Sequence, residues 1–507
     1  MSPAGARPRV AIVGGGFSGI AAAARLKMAG HEAFDVFEQS DGPGGTWHDA
    51  RYPGAAVDTP QPMYSYSFTK THSFSRVFAG REELLKYLED TVDEVGIRSH
   101  FHFNTRVTSA EWSEKDSAYA VSLSTGETRM YEVLVSAVGY LNNPRYPDWP
   151  HLPEFSGAAF HSARWEDVDV AGKRVALVGT GSAACQIAGA IASHVGELLV
   201  FQREPGWVLP KADRVFTDEE RAELAKPSRR RDLRRRQYLE RERGGLEARV
   251  GAETKGGWWE LLKAASRKPS KNKSAGPQDQ AEAYITEMFS SRPDLQAAVT
   301  PNYPFGGKRV IKDSTYYPAL LRDNVRLIPR AVADAYTGGV IDAEGEKHEV
   351  DIIVMATGYL ASDYLATLPV KGRKGRWIKD VWNGEPSAFL GVTVPGFPNL
   401  FVMYGPNTNS VFLAYLFEAE AAYIQRCVKR IAGGVKSIEV RPRWHDEWNR
   451  YLEGRLDNTP IARSIRQGVH SYYATKSGRI VGYMPIRNVT YGALLRLLGR
   501  ISTREQR

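Results

Sequence analysis

The chain has 507 residues, 42% of them hydrophobic and 25% charged, and carries a net charge of +9. That length supports two or three domains with sizeable cores, in a composition ordinary for a globular protein. Two cysteines, Cys185 and Cys427, with no CxxC pair argue against a disulfide framework and against a thiol-based disulfide reductase.

After a loose tail, Met1 to Pro8, the apolar run Val10-Ala11-Ile12-Val13 leads into Gly14-Gly15-Gly16-Phe17-Ser18-Gly19. An Ala-rich segment then runs to Met28, and a second apolar run ends at Glu38. The order strand, glycine turn, helix, strand, acid is that of a dinucleotide site. Gly14 permits the tight turn, Gly16 lets backbone amides approach a pyrophosphate, and Gly19 lets helix and strand pack closely. The helix N-terminus, with Ser18 on its first turn, faces the anion. Glu38 stands 19 residues past Gly19, where an acid bonds a ribose hydroxyl. Because the Ala-rich segment belongs to this fingerprint, it is not read as a signal peptide. No apolar run approaches the ~18 residues that span a membrane, so a cytoplasmic enzyme is the default expectation.

The same stretch continues through Gly44-Gly45-Thr46-Trp47 to Tyr52-Pro53-Gly54 and Asp58. Residues 58 to 68, with two prolines and Tyr64, read as an irregular segment. Arg81 to Val95 is a predicted helix with Leu84, Leu85, Leu88 and Val92 on one face. Phe101 to Trp112, which includes Val107, and Tyr119 to Leu123 alternate as strands, with a turn at Thr125-Gly126. Tyr131 to Gly139 is a buried strand returning under the first fold, and the Pro-rich stretch Asn142 to Pro153 leaves that domain.

The chain then repeats the pattern. Arg174 to Val178 is a strand, Gly179-Thr180-Gly181-Ser182-Ala183-Ala184 a GxGxxA turn, and Cys185 to His194 its helix. Leu198 to Gln202 is the next strand, and it ends in Arg203 where the first copy has Glu38. An acid there bonds a ribose 2′-hydroxyl, whereas an Arg suits a 2′-phosphate, so the second site is expected to prefer NADPH. Phe216 to Thr300 is charged and helical. Its runs Arg229-Arg230-Arg231 and Arg234-Arg235-Arg236 sit near Glu240, Glu242 and Glu247, which favours a solvated helix face over nucleic-acid binding. Trp258 and Trp259 are expected to pack or to wall a pocket. Asp351 to Tyr359 is a buried strand after which the chain passes back to the first domain. Leu400 to Asn409 is strand then turn. Helices follow over Phe412 to Ala432 and Trp444 to Leu456.

Several of these runs together resemble class B flavoprotein monooxygenases, in particular the Baeyer–Villiger branch of the phenylacetone and 4-hydroxyacetophenone monooxygenases. They are Gly45-x-Trp47 through Asp58, Phe155-x-Gly157 with His161 and Trp165, Phe201 to Pro210 (FQREPGWVLP), Pro304 to Leu321 (PFGGKRVIKDSTYYPALL), Leu400 to Asn409, and Ser471-Tyr472-Tyr473. The resemblance covers roughly Arg9 to Pro485. It departs from the family at Glu166, at Gly307 in place of Cys, and at Tyr472 and Met484 in place of Trp.

The resemblance implies an α/β fold with two Rossmann-like dinucleotide-binding domains, for FAD and NADPH, and a helical insert in the NADPH domain. The expected segments are 1–145 (FAD domain, first part), 146–350 (NADPH domain, insert about 214–300) and 351–507 (FAD domain, second part, and a substrate-covering segment). FAD-binding candidates are Gly14, Gly16, Ser18, Gly19, Glu38, Gly45, Thr46, Trp47, Tyr64 and Val107. For NADPH they are Gly179, Gly181, Ser182, Arg203 and Lys308. Arg309, oriented by Asp58, is the implied catalytic residue, while His161 is expected to hold the interdomain linker. No metal site is assigned.

In such enzymes NADPH reduces FAD, and O2 then forms a C4a-peroxide that inserts oxygen beside a ketone carbonyl. The same machinery also oxygenates nitrogen or sulfur in the family. A flavoprotein that binds nucleotides without oxygenating, as a redox-sensing module, is a third possibility from a different class. The expected partners are a small-molecule substrate and O2, with no nucleic acid and no membrane span; the oligomeric state is not legible.

Overall fold

Four all-apolar tetrapeptides or near-tetrapeptides in the sequence become the centres of two parallel sheets. The computed structural model describes residues 7–70, 74–250, 276–410 and 412–506. The first sheet has five parallel strands in the order Leu400–Val402, Val133–Ser136, Val10–Val13, Phe34–Phe37 and Phe101–His102. Val10–Val13 and Val133–Ser136 are buried along their whole length, as expected of strands covered on both faces. The helix Phe17–Met28 joins the first two strands of the chain. Its run of alanines lets the long helix Leu413–Ala432 pack closely along it. The tail of the sequence therefore builds the core of its beginning.

The second sheet, also parallel, runs Val325–Ile328, Glu197–Phe201, Arg174–Val178, Ile352–Met355 and Ala158–His161. This moves one expected boundary. The third segment was placed from 351 onward, yet Ile352–Met355 pairs with Arg174–Val178 on one side and Ala158–His161 on the other, so the return to the first sheet comes after it. The expected strand Phe101 to Trp112 also divides. Asn104 takes a left-handed φ of 52°, and the chain breaks there. Phe101–His102 closes the first sheet, and Val107–Ser113 starts a separate sheet with Ala118–Leu123, Thr128–Tyr131 and Val370–Lys371. Arg81–Val95 forms as expected, bounded by Gly80 and a left-handed Gly96, with Leu84, Leu88 and Val92 buried.

Within the insert, helices span Asp218–Ala225, Pro227–Val250, Pro277–Met288 and Pro293–Val299. Trp258, Trp259 and the patch near Ser270 lie outside the described residues. The arginine run is only partly a solvated face. Arg230 is 3% exposed and donates to the carbonyls of Leu224 (2.9 Å), Thr69 (2.5 Å) and Lys70 (2.8 Å). Arg234 pairs with Glu418 at 2.9 Å, and Glu418 in turn accepts from the Ser67 N–H at 2.8 Å. Two of the six guanidiniums thus fasten the insert to the first domain, while Arg229, Arg231, Arg235 and Arg236 are exposed.

Arg230→Ala removes the donor from three carbonyls, two of them in buried contacts, and is expected to lower stability by about 2–4 kcal/mol. Arg231→Ala, on the exposed side of the same helix, is expected to stay within about 0.5 kcal/mol of the parent. Paired denaturant titrations check this; equal losses in the two variants would show that Arg230 does not anchor the insert.

Candidate active site

Both glycine turns are built the same way. Gly14 has φ 107°, and a Cβ on it would lie 2.5 Å from the carbonyl oxygen of Ala137, the residue after Val133–Ser136. Gly179 has φ 119°, and a Cβ there would lie 2.5 Å from the carbonyl oxygen of Ala356, the residue after Ile352–Met355. Only glycine combines that dihedral with that approach. A Cβ on Gly19 would overlap the Gly14 carbonyl oxygen, so its role in close packing holds. The helices Phe17–Met28 and Ser182–Ile191 begin at Gly16 and Gly181 with no side-chain cap, which leaves their first N–H groups for an anion.

The surroundings of the two turns differ. A Cβ on Gly181 would meet nothing within 4 Å, as expected where a pyrophosphate approaches the backbone. A Cβ on Gly16 would instead lie 3.3 Å from the Cα of Gly45. Gly16 therefore serves first to admit a second glycine loop, held by the bond from the Gly44 N–H to the Gly15 carbonyl at 3.0 Å. Glu38 is buried and accepts from the N–H of Gly15 (2.7 Å) and of Ser40 (2.9 Å), which leaves lone pairs of its carboxylate for a ribose. The Ser18 hydroxyl donates to the Ala137 carbonyl at 3.4 Å. Thr46 is exposed at the start of the short helix Thr46–Asp49, with Gly45 before it. Trp47 is buried and donates from Nε1 to the Tyr64 hydroxyl at 3.2 Å, and burial pushes the Tyr64 phenol up to about 12. The Val107 side chain is 2% exposed, in the core beside Val13 and Phe37, so only its backbone is placed to meet a cofactor.

Asp58 and Arg309, 251 positions apart in the chain, meet at 2.5 Å. The arginine side chain is 41% exposed and the carboxylate 25%, as for groups on the wall of a concave site. Burial opposes the charge on Asp58, but Arg309, with Lys312 and Lys211 behind it, outweighs burial and holds the carboxyl below its usual range. Burial likewise opposes the charge on Arg309, and Asp58 more than restores it. Tyr472, Tyr473 and Tyr140 lie near enough to the guanidinium to bear on its charge, as does Tyr404. The Tyr404 hydroxyl donates to Asn409 Oδ1 at 2.9 Å, and Asn409 Nδ2 donates to the Tyr140 hydroxyl at 2.7 Å, which fixes two of these rings.

On the second sheet Arg203 is exposed one residue beyond the end of its strand's buried stretch. Lys308 forms an ion pair with Glu204 and lies 5.1 Å over the Tyr303 ring. Ser182 opens the helix after Gly181. His161 is 1% exposed, its Nδ1 accepts from the Ala163 N–H at 3.0 Å, and burial lowers its pKa. It ends the strand Ala158–His161, in keeping with a structural role in the linker.

Two features escaped the sequence. Tyr52 donates to Gln186 Oε1 at 3.0 Å, and Gln186 Nε2 donates to the Ala56 carbonyl at 2.9 Å, which docks the Tyr-Pro-Gly loop on the helix of the second turn. Gln186 follows the GxGxxA turn closely enough to have been suspected, but nothing local to it names its partner. The other is Glu420, described below.

The chain matches the family model "Flavin-binding monooxygenase-like" over residues 7–221. It is 35% identical over 477 residues to a Baeyer–Villiger monooxygenase of Streptomyces coelicolor, covering 93% of this chain and 87% of that protein. Among solved structures it superposes on cyclohexanone monooxygenase from Rhodococcus sp. Phi1 bound to NADP+ with a TM-score of 0.83 at 27% identity, over 98% of this chain and 99% of that one. An oxidised steroid monooxygenase bound to NADP gives 0.81 at 27% identity with the same coverage. Fold and site thus define a flavin-dependent monooxygenase. Within that class, the chain belongs to the Baeyer–Villiger monooxygenase family. Among the described residues no helix is long and apolar enough to cross a membrane.

Glu420 is fully buried behind the Arg309 site on helix Leu413–Ala432. Its Oε2 accepts at 3.0 Å from the N–H of Tyr404, a non-glycine residue in the left-handed region at φ 56°. Its Oε1 lies 2.9 Å from the Tyr491 hydroxyl, which is also 2.8 Å from the Leu390 carbonyl. A phenol has one proton, and the Leu390 carbonyl can only accept. That single proton, donated to Glu420 Oε1 and shared with Leu390, is little compensation for a buried negative charge, which favours the neutral carboxyl. Burial pushes its pKa up to about 8, in agreement. The folded state then holds one more proton than the unfolded state between the ordinary Glu pKa and about 8. Stability from this group is full at low pH and falls as pH rises through that window. Glu420→Gln keeps one acceptor and one donor but no titration. Over about pH 5 to 8 the wild type is expected to lose up to about 4 kcal/mol relative to Glu420→Gln. Parallel unfolding titrations across that range check it; parallel curves would mean that Glu420 is not neutral in the fold.

Proposed function

We propose that the first glycine turn holds FAD, the second binds NADPH, and the chain inserts one oxygen atom from O2 beside the carbonyl of a ketone, giving an ester or lactone in the cytoplasm. The observation that carries this reading is the Arg309–Asp58 pair. It joins the loop that ends the first glycine fingerprint to the loop that follows the second. Gly14, Gly16, Gly19 and Glu38 would hold the flavin dinucleotide, with Gly45, Trp47 and Tyr64 beside it. Gly179, Gly181 and Ser182 would take the pyrophosphate of NADPH, and Arg203 with Lys308 its 2′-phosphate.

When bound, the flavin takes hydride from NADPH and activates O2. The chain's own part is electrostatic. Asp58 aims the guanidinium of Arg309, and Lys312 and Lys211 also bear on its carboxylate. A fixed guanidinium among aromatic walls stabilises negative charge as it develops on activated oxygen and on the carbonyl oxygen, without a cost of solvent reorganisation. Product analysis by mass spectrometry over a ketone panel, set against an amine and sulfide panel, tests the reaction. Oxygenation of amines or sulfides alone would replace the ketone assignment, and NADPH oxidation with no oxygenated product from any panel would remove it.

Arg309→Ala is expected to retain flavin and to be reduced by NADPH, but to form product about 10²–10³ more slowly and to release H2O2 instead. Asp58→Ala is expected to show the same defect in milder form. Coupled product formation near the wild-type rate in Arg309→Ala would refute the role.

Arg203→Ala is expected to raise KM for NADPH by about one to two powers of ten with little change for NADH, the value of a charge-assisted bond to phosphate. Equal weakening for both cofactors would make the residue positional.

A further inference from the structure

Arg203 does not stand alone at the end of its strand. Arg145, Arg203 and Lys308, from three separate parts of the chain, all bear on His470, and the one acid among them, Glu204, is already paired with Lys308. Arg145 is held by its backbone: its N–H donates to the Gly358 carbonyl at 2.9 Å, and its carbonyl accepts from the Thr357 hydroxyl at 2.5 Å. Its guanidinium lies 3.1 Å from His470 Nε2. A guanidinium can only donate, so Nε2 is the acceptor and the imidazole proton sits on Nδ1. Arg203, Arg145 and His470 are all exposed, so a ligand can reach them.

The segment that carries His470 is fixed to the same place. The helix Pro460–Arg466 packs on the loop that carries Lys308 and Arg309. Pro460 lies against Gly306, and a Cβ on Gly307 would overlap the Ser464 hydroxyl. Val469 packs against the core of the second sheet, whereas Tyr472 packs against that of the first. His470 is therefore held between the two, with a donor in hand.

We propose that His470, oriented by Arg145, is a further ligand of the NADPH 2′-phosphate, donating from Nδ1 to a phosphate oxygen. This rests on the assignment of NADPH to the second glycine turn. It would place three cations and one neutral donor around the phosphate, from four separate segments. It would also tie that phosphate to the segment that brings Tyr472 and Tyr473 to Arg309, two and three residues further on.

The test is equilibrium binding of NADP+ and of NAD+ to the oxidised, flavin-loaded protein by calorimetry, for the wild type, His470→Ala, His470→Asn and Arg203→Ala. His470→Ala is expected to weaken NADP+ about tenfold and leave NAD+ unchanged. His470→Asn, whose amide places a donor near the position of Nδ1, is expected to recover most of that loss. Should His470→Ala leave NADP+ unchanged, or weaken both cofactors alike, while Arg203→Ala remains selective for NADP+, the inference is overturned and the NADPH assignment stands. Should the wild type bind NAD+ as tightly as NADP+, both fail together. A selective loss in His470→Ala with an unselective one in Arg203→Ala would support His470 and remove Arg203 from the phosphate.

Discussion

The ion pair between Arg309 and Asp58 is the constraint on which the rest of the site depends. With the arginine side chain 41% exposed, water screens the contact. An isolated pair of this kind would add little stability. Here Lys211 and Lys312 also bear on Asp58, so the carboxylate stays ionised and holds the guanidinium in place. A fixed guanidinium is what a site handling negative charge requires. The geometry also sets a condition on the fold. Asp58 closes the loop of the first fingerprint, and Arg309 follows the strand and helices of the second. The pair forms only if both sheets are complete and docked, and the bonds Tyr52 to Gln186 and Gln186 to Ala56 do that docking a few residues away.

The two glycine turns use one device in two settings. In each, the first glycine passes under the carbonyl of the residue after the neighbouring strand, and the helix begins uncapped. Around the first turn, Gly44 and Gly45 close in until backbones touch, Glu38 is buried against Gly15, and Trp47 and Tyr64 wall the loop. Around the second turn, Gly181 faces open space. A deep, walled cradle suits a group that stays, and an open turn suits a co-substrate that must arrive and leave with each turnover. The difference is not in the first and third positions of the turns, which are glycine in both. It comes from what the following thirty or so residues fold back to cover.

That contrast also explains how much could be read from the chain. Elements defined by local chemistry were legible: the uncapped helices after each GxGxx turn, the helix bounded by Gly80 and Gly96, and the apolar strands. The pairing of Arg309 with Asp58 was legible only through the family likeness, because no local rule joins positions 251 apart. What was missed depends on partners far away in sequence. Phe101 to Trp112 alternates as one strand and is two, because its halves find different sheets on either side of Asn104. The arginine run had the composition of a solvated face, yet Arg230 finds three carbonyls, two of them in the distant segment Thr69–Lys70 and one at the end of the preceding helix. Glu420 reads as one more acid on a helix until Tyr404 and Tyr491 are seen to close around it.

Gly307 carries the same lesson to the site itself. Where the family likeness leads one to expect a cysteine, this chain has a glycine, and from the sequence alone that is a departure without a reason. In the fold, a Cβ at 307 would overlap the hydroxyl of Ser464, and Ser464 is fully buried. The helix Pro460–Arg466 can lie this close to the Lys308–Arg309 loop only because 307 has no side chain. The loop's approach to the C-terminal segment, and with it the placement of Tyr472 and Tyr473 against Arg309, therefore depends on a residue with no side chain. A cysteine at 307 would have to push Ser464 away before any ligand was involved. The two positions are one contact, and neither can be judged a loss or a gain without the other.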